Sequence, residues 1–174
     1  FKTICSIIEN HNHPEKMNVC DIGCATGEFL YYLKTIFPNS TVTGYDILTS
    51  MLHIAKKMIP DGNFFEGNVN SKQLLSENSF DIVTMTGVLS IFDDPRSSIV
   101  NCLSAIKKNG LVIISGIFNL MNYGILFSVG VITILIAEKL IKKFKFNVPS
   151  QIGAVLFVGV GGFVFNLVFK IVDI

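Results

Sequence analysis

The sequence predicts an α/β fold, a doubly wound and mainly parallel sheet, over about residues 1–118. Short apolar runs alternate in this part of the chain with amphipathic stretches, which is the order of strands and helices in βαβ units. The runs contain few polar interruptions, as expected for strands that are buried on both faces. A turn containing two glycines joins the first run to the amphipathic stretch that follows it.

The alternating apolar and amphipathic stretches predict each helix and strand of the domain from the N-terminus onward. A leading helix over about 1–10 begins in mid-pattern, and the first residue is Phe1 rather than Met, so we expect the N-terminus to be incomplete. The apolar runs predict strands at about 17–22, 41–46, 63–66, 80–86 and 111–117. The amphipathic stretches between them predict helices at about 27–37, 50–59 and 95–107.

Several helix ends carry residues that are typical of caps. Thr49 or Ser50 can cap the helix MLHIAKKM, and Asp94 followed by Pro95 supplies an N-cap and a first helical residue for the helix after strand 4. Asn109-Gly110 is expected to end that helix and to open the fifth strand.

The composition changes near residue 119, so we divide the chain into a domain over 1–118 and a hydrophobic tail over 119–174. Tyr123–Ala137 and Ile152–Phe169 contain no charged side chain. Their length and their lack of a polar face predict an apolar, helical C-terminal hairpin. Its two candidate membrane segments lie at about 120–141 and 151–170.

Two alternatives for the tail stay open. A buried helix over 124–143 and a β-hairpin turning at Gly161-Gly162 would complete the sheet, or the tail is foreign to the domain. The lysines between the two segments favour a cytoplasmic linker, which would place the domain outside. We nevertheless expect a cytoplasmic domain. The linker lysines are Lys139, Lys142, Lys143 and Lys145.

Charge and cysteine content restrict the possible functions. A formal net charge of +1 leaves no electrostatic footprint for nucleic acid, and no nucleic-acid partner is expected. The four cysteines form no C-x-x-C pair, which favours reduced thiols in a reducing compartment. We predict no metal site, and His11 and His13 are interpreted as loop residues before strand 1.

The glycine turn Asp21-Ile-Gly23-Cys-Ala-Thr-Gly27 follows a strand and opens a helix. Helix N-termini favour anionic groups, and glycines allow tight turns and close approach. The spacing differs from the dinucleotide fingerprint G-x-G-x-x-G. Asp21 would oppose a pyrophosphate and suits a ligand with an ammonium or sulfonium group. Asp46, at the end of strand 2, can accept hydrogen bonds from both ribose hydroxyls or cap a helix.

These motifs together resemble the class I S-adenosylmethionine-dependent methyltransferases. The resemblance covers about residues 15–118 and is carried, in order, by DIGCATGEFL, GYDILTSMLHIAKKM, FFEGNVN, NSFDIVTMTGVLSIFDDP and LVIISGIFN. It implies a Rossmann-like, seven-stranded sheet with central order 3-2-1-4-5. It also implies S-adenosylmethionine as the cofactor, bound across the ends of strands 1 and 2.

The same resemblance implies the contacts of the cofactor. Asn68 stands where the family usually has Asp, but its amide oxygen can still accept a hydrogen bond from adenine. The implied contacts are Asp21, Gly23, Cys24, Ala25 and Gly27 at the methionine end, Asp46 at the ribose, Ile47, Asn68 and Val69 at the adenine, and Thr84, Met85 and Leu89 beside the methionine moiety and the acceptor.

The resemblance implies methyl transfer but supplies no general base. Ser90-Ile91 occupies the segment where many relatives carry a polar pair, and we interpret Asp93 and Asp94 as a turn and a helix cap. No catalytic residue is identified. The acceptor is expected to be a small molecule, or a lipid-linked one if residues 120–170 associate with a membrane. The alternative is a non-catalytic or truncated S-adenosylmethionine-binding module anchored by its tail.

Overall fold

A computed structural model describes residues 1–71, 74–117, 152–160 and 164–171 of the chain. The amphipathic stretches are helices and the apolar runs are strands, with a short 3-10 turn over Leu89–Ile91. The elements are α1 (Lys2–Glu9), β1 (Asn18–Ile22), α2 (Glu28–Ile36), β2 (Thr41–Asp46), α3 (Thr49–Met58), β3 (Asn63–Glu66), β4 (Phe80–Thr86), α4 (Arg96–Ala105), β5 (Ile106–Ile117), β6 (Ile152–Val160) and β7 (Val164–Ile171).

The strands form one sheet in the order β3-β2-β1-β4-β5-β7-β6. All pairs from β3 to β5 are parallel, while β7 is antiparallel to both β5 and β6. The predicted central order 3-2-1-4-5 is confirmed. In this order the carboxyl ends of β1, β2 and β4 meet at one edge, where doubly wound folds bind ligands.

Both faces of the central sheet are buried, which explains the near-continuous apolar strands. Cys20 and Ile22 of β1 pack on one face with Ile99 and Cys102 of α4. The other face carries alternate strand residues and packs against α1 and α2. Its members include Val19, Val42, Ile82, Ile4, Ile8, Leu30 and Leu33. The two layers fix the carboxyl edge from both sides.

The junction of α4 and β5 differs from its prediction. The helix ends at Ala105, and β5 begins at once with Ile106. Phe80 of β4 pairs with Ile106, but Ile82 pairs with Leu111, so extra residues of β5 form a bulge. Asn109-Gly110 lies in this bulge, with Asn109 at a φ of 62°, instead of ending the helix.

The C-terminal segment predicted at about 151–170 also differs, because its described residues are extended and not helical. β7 pairs with β5 over seven residue pairs, so β5 is not left as an open edge. This arrangement corresponds to the alternative in which the segment completes the sheet. No helix among the described residues has the length and apolar character to cross a membrane. The segment at about 120–141 lies outside the described residues, and the division at residue 118 stays a prediction.

Candidate functional site at the carboxyl edge

The glycine turn between β1 and α2 is tied to the end of β2. The backbone N–H groups of Gly23 and Cys24 both donate to the carbonyl oxygen of Tyr45, at 2.7 and 3.1 Å. The turn closes on itself where Gly27 N donates to Cys24 O at 2.9 Å. Gly23, Ala25 and Gly27 have φ angles of 72°, 46° and 81°, so this backbone favours glycine.

The two glycines of the turn are also required by close packing. A Cβ atom at Gly23 would lie 2.1 Å from Cγ2 of Val88, in the segment after β4. A Cβ atom at Gly27 would lie 3.0 Å from Cβ of Ala55 in α3. Gly27 therefore allows α2 and α3 to approach each other, whereas the sequence suggested only approach to a ligand.

Asp21 lies at the end of β1 with its carboxyl group buried. Thr84 of β4 donates its hydroxyl hydrogen to Oδ1 of Asp21 at 2.7 Å. Burial raises the pKa of Asp21 from 3.8 to about 7; the Thr84 hydrogen bond opposes this shift and the charge of Asp46 adds to it. A cationic group beside Asp21 would favour its ionised form.

Asp46, at the end of β2, holds two neighbouring segments with its carboxylate. Oδ2 accepts a hydrogen bond from Ala25 N and Oδ1 accepts one from Leu48 N, both at 2.9 Å. Asp46 therefore fixes the start of α3, and the predicted side-chain caps Thr49 and Ser50 make no cap hydrogen bond. Each carboxylate oxygen keeps a further lone pair for a ligand hydroxyl.

Ile47 and the loop after β3 lie beside Asp46 at the same edge. The side chain of Ile47 is 58% exposed, so it could pack on a ligand ring. Asn68 is exposed, and its Oδ1 accepts a hydrogen bond from Asn70 N at 2.9 Å. Val69 is buried, and its carbonyl oxygen accepts a hydrogen bond from Nδ2 of Asn101 at 2.6 Å.

The residues at the end of β4 fall into two groups. Met85 and Leu89 are buried in the core with α4, on the face opposite Thr84. Thr86 lies on the same side as Thr84, and its buried Oγ1 has no hydrogen-bond partner among the described residues. Sequence reasoning did not single out Thr86, although it lies between the implied contacts Thr84 and Leu89, and it missed Asn101. A period-two pattern from Thr84 would have indicated Thr86, while nothing local indicated Asn101.

The neighbouring acids and thiols have structural roles. Asp94 accepts a hydrogen bond from Arg96 N at 3.1 Å, and the Arg96 side chain lowers the pKa of Asp94 to about 2. Asp94 therefore anchors the start of α4, as its cap interpretation expected, and is a weak base. Burial, with smaller effects of Asp21 and Asp46, raises the pKa of the Cys24 thiol to about 12. Cys24 is accordingly a protonated packing residue.

The opposite edge of the sheet has a different character. His11 Nε2 lies 2.9 Å from the carbonyl oxygen of Asn109. A small cavity of about 80 Å³ there is lined in part by His11, His13, Asp81 and Lys108. Across the residues that the structure describes, no group of three or more His, Cys, Asp or Glu side chains is placed to hold a metal ion.

Comparison with known proteins identifies the family. A family model described as "Methyltransferase domain" matches residues 20–112. The chain belongs to the class I S-adenosylmethionine-dependent methyltransferases. The resemblance inferred from the sequence motifs is therefore confirmed.

Individual relatives agree with this methyltransferase assignment. The chain is 32% identical over 102 residues to the demethylmenaquinone methyltransferase of Thermotoga maritima, covering 59% of this chain and 43% of that protein. It is 32% identical over 157 residues to the ubiquinone biosynthesis O-methyltransferase of Colwellia psychrerythraea, covering 83% of this chain and 61% of that protein. The chain thus spans about two fifths to three fifths of the length of these relatives.

A solved structure supports the fold of the methyltransferase domain. A TehB-like SAM-dependent methyltransferase from Corynebacterium glutamicum superposes with a TM-score of 0.69 at 21% identity. The match covers 96% of this chain and 86% of that one. At this identity the likeness shows the fold.

The residues of the methyltransferase domain fit the cofactor of the family. Two carboxyl groups, Asp21 and Asp46, lie at the edge where the glycine turn ends, and the charge of Asp46 contributes to the raised pKa of Asp21. Such a pair suits a ligand that carries both positive charge and hydroxyl groups, and it disfavours a pyrophosphate. The hydroxyl of Thr86, which has no hydrogen-bond partner in the described part of the chain, adds a polar group at the end of the adjacent strand.

Proposed function

We propose that this methyltransferase domain binds S-adenosylmethionine across the carboxyl ends of β1 and β2 and transfers its methyl group to a small-molecule acceptor. The observation that carries the proposal is the buried Asp21, hydrogen-bonded to Thr84 and placed near Asp46 beside the glycine turn. This arrangement supports a binding site for a cation that also carries a ribose.

The residues of the site have separate tasks in this proposal. Asp21 balances the positive charge at the methionine end, and Asp46 accepts the ribose hydroxyls while it keeps Ala25 in place. Ile47 covers the adenine, and Asn68 accepts from its amino group. The cofactor supplies a methyl group on a sulfonium, so the protein chiefly aligns donor and acceptor and excludes water.

The acceptor is proposed to be apolar, with quinone-type rings as the first class to test. Two of the relatives are named as a demethylmenaquinone methyltransferase and a ubiquinone biosynthesis O-methyltransferase. In this chain Ile91, in the segment after β4, is 67% exposed and offers an apolar surface near the site. We also propose a cytoplasmic location, with a lipid-linked acceptor if residues 120–170 associate with a membrane. Membrane fractionation with a carbonate wash tests that association.

Calorimetric titration with S-adenosylhomocysteine tests the cofactor site. Asp46→Asn keeps the side-chain volume and one acceptor oxygen, and it should weaken binding about tenfold by removing an ionised acceptor. Asp61→Asn is the matched control, because Asp61, which follows α3, is exposed and pairs with Lys34 of α2. No binding by the wild type, or equal affinities in both variants, would contradict the site.

Transfer of a labelled methyl group from S-adenosylmethionine to demethylmenaquinone tests the activity. We expect labelled product with the wild-type chain and a strongly reduced rate with Asp46→Asn. Tight binding of S-adenosylhomocysteine without turnover on any acceptor class would instead favour the non-catalytic module.

A further inference from the structure

Asn101 is a buried amide in α4 that reaches across to the loop after β3. Its Nδ2 donates to the carbonyl oxygen of Val69 at 2.6 Å and to that of Ser71 at 2.7 Å. The residue is only 8% exposed; its bond to Val69 is buried and shielded from competing water, and its bond to Ser71 is partly buried. A single amide nitrogen carries two donors, which allows one side chain to hold two successive parts of the loop.

The loop that Asn101 holds has a defined shape. Asn68 Oδ1 accepts from Asn70 N, and Asn68 O accepts from Ser71 N, both at 2.9 Å. The start of the loop is fixed to β2, because Gly67 N donates to Asp46 O at 2.9 Å. Asn68 therefore lies between an anchor on β2 and an anchor on α4.

Other contacts leave this loop little freedom to shift. A Cβ atom at Gly67 would lie 2.5 Å from Leu74 and 3.2 Å from Tyr45, so the backbone passes close to both side chains. The loop can still move at the end away from β3, at Val69 and Ser71, where the described side-chain hydrogen bonds come from Asn101. Loss of those bonds would release the end of the loop that follows Asn68.

We propose that Asn101 is a positioning residue for the adenine end of the cofactor site. It does not touch the ligand; it fixes the loop that presents Asn68. The inference rests on the proposed binding of S-adenosylmethionine. It makes the position of the loop after β3 depend on α4. Because α4 also directly follows the segment after β4, one helix holds both the adenine loop and that segment.

The test compares Asn101→Leu with Ser98→Ala. Leu has the same number and branching of side-chain heavy atoms as Asn but no donor. Ser98→Ala removes another buried side-chain hydrogen bond of α4, the one to Pro95 O at 2.8 Å, that does not reach the loop. Calorimetric titration with S-adenosylhomocysteine should show about tenfold weaker binding for Asn101→Leu. Ser98→Ala should bind like the wild type.

Hydrogen exchange without ligand provides the second readout. The amides of Asn70 and Ser71, which donate within the loop, should exchange faster in Asn101→Leu and remain unchanged in Ser98→Ala. Asn101→Gln keeps the amide on a longer side chain and should recover part of the affinity and of the protection. Asn101→Ala, which also removes both donors, replaces Asn101→Leu in both measurements if that variant does not fold.

The two proposals can fail separately. Unchanged exchange at Asn70 and Ser71 in the Asn101 variants, or an equal loss of affinity in Ser98→Ala, would overturn the positioning role. Absence of S-adenosylhomocysteine binding by the wild type would overturn the proposed function, whatever the exchange at the loop shows.

Discussion

Replacing the buried Asp21 with Asn should make stability less dependent on pH. The folded state holds this carboxyl group at a pKa of about 7, whereas its ordinary value is 3.8. Between these values the folded chain binds a proton that the unfolded chain has released. Stability therefore falls as pH rises from about 4 to about 7, and the shift corresponds to a cost of about 4 kcal/mol above that window.

Asn resembles the protonated carboxyl in shape and keeps an oxygen that can accept from Thr84. The free energy of unfolding of Asp21→Asn should equal that of the wild type near pH 4. It should exceed the wild-type value by up to about 4 kcal/mol near pH 8. Urea denaturation of both proteins, followed by circular dichroism at several pH values, measures this difference. The pH dependence of the other titrating groups cancels, because both proteins contain them.

The control is Asp61→Asn, which removes an exposed carboxylate whose pKa is lowered chiefly by the Lys34 hydrogen bond. That variant should be slightly less stable than the wild type near neutral pH, the opposite sign. A difference between Asp21→Asn and wild type that stays constant from pH 4 to pH 8 would show that Asp21 does not cause the pH dependence. Asp21→Asn should also bind S-adenosylmethionine more weakly, with less effect on S-adenosylhomocysteine, because only the former carries the sulfonium.

Three further predictions concern glycines, threonines and cysteines of the domain. Gly23→Ala should lower the free energy of unfolding, measured by thermal denaturation, by more than about 2 kcal/mol, because the left-handed backbone strains Ala and its methyl group clashes with Val88. Gly87→Ala, with a φ of 76° and open space around the new methyl group, should lower it by only about 1 kcal/mol. Thr86→Val should leave the free energy of unfolding unchanged or raise it by up to about 1 kcal/mol. Thr84→Val should lower it by about 1–3 kcal/mol, because Asp21 loses its hydrogen-bond donor. Equal effects of the two substitutions would contradict the difference between the two hydroxyls. The four buried thiols, including Cys24 with a pKa of about 12, should react with maleimide only after unfolding, as a time course with and without urea would show.

Periodicity and turn chemistry predicted most of the domain correctly. Alternating apolar and amphipathic stretches located the strands and helices up to β5, and the resemblance implied the central order that the structure has. The bulge at Asn109-Gly110 was not predicted, because Asn and Gly favour the same left-handed backbone at a helix end and in a bulge. The strands β6 and β7 were not the favoured prediction, because a long apolar run fits a helix and a strand equally well.

Within the site, local sequence could identify residue types but not their partners. The strand-end positions of Asp21 and Asp46 followed from the motif, and the structure places both at the carboxyl edge. The sequence could not show that Asp46 holds Ala25, 21 positions away, or that Thr84 donates to Asp21, 63 positions away, because each bond joins segments that only the sheet brings together. Only pairing of the strands in register brings such side chains within hydrogen-bond distance.

The glycine turn, the acids that follow two strands and the family of the chain can all be recognised in the sequence alone. These features are encoded by short stretches whose backbone conformation depends on neighbouring residues. Burial and pairing of side chains arise only from packing: the raised pKa of Asp21, the hydrogen bonds of Asn101 to the loop after β3, and the hydroxyl of Thr86, which has no partner among the described residues. Each depends on desolvation or contact between distant segments, and those quantities exist only once the sheet and its helices have packed together.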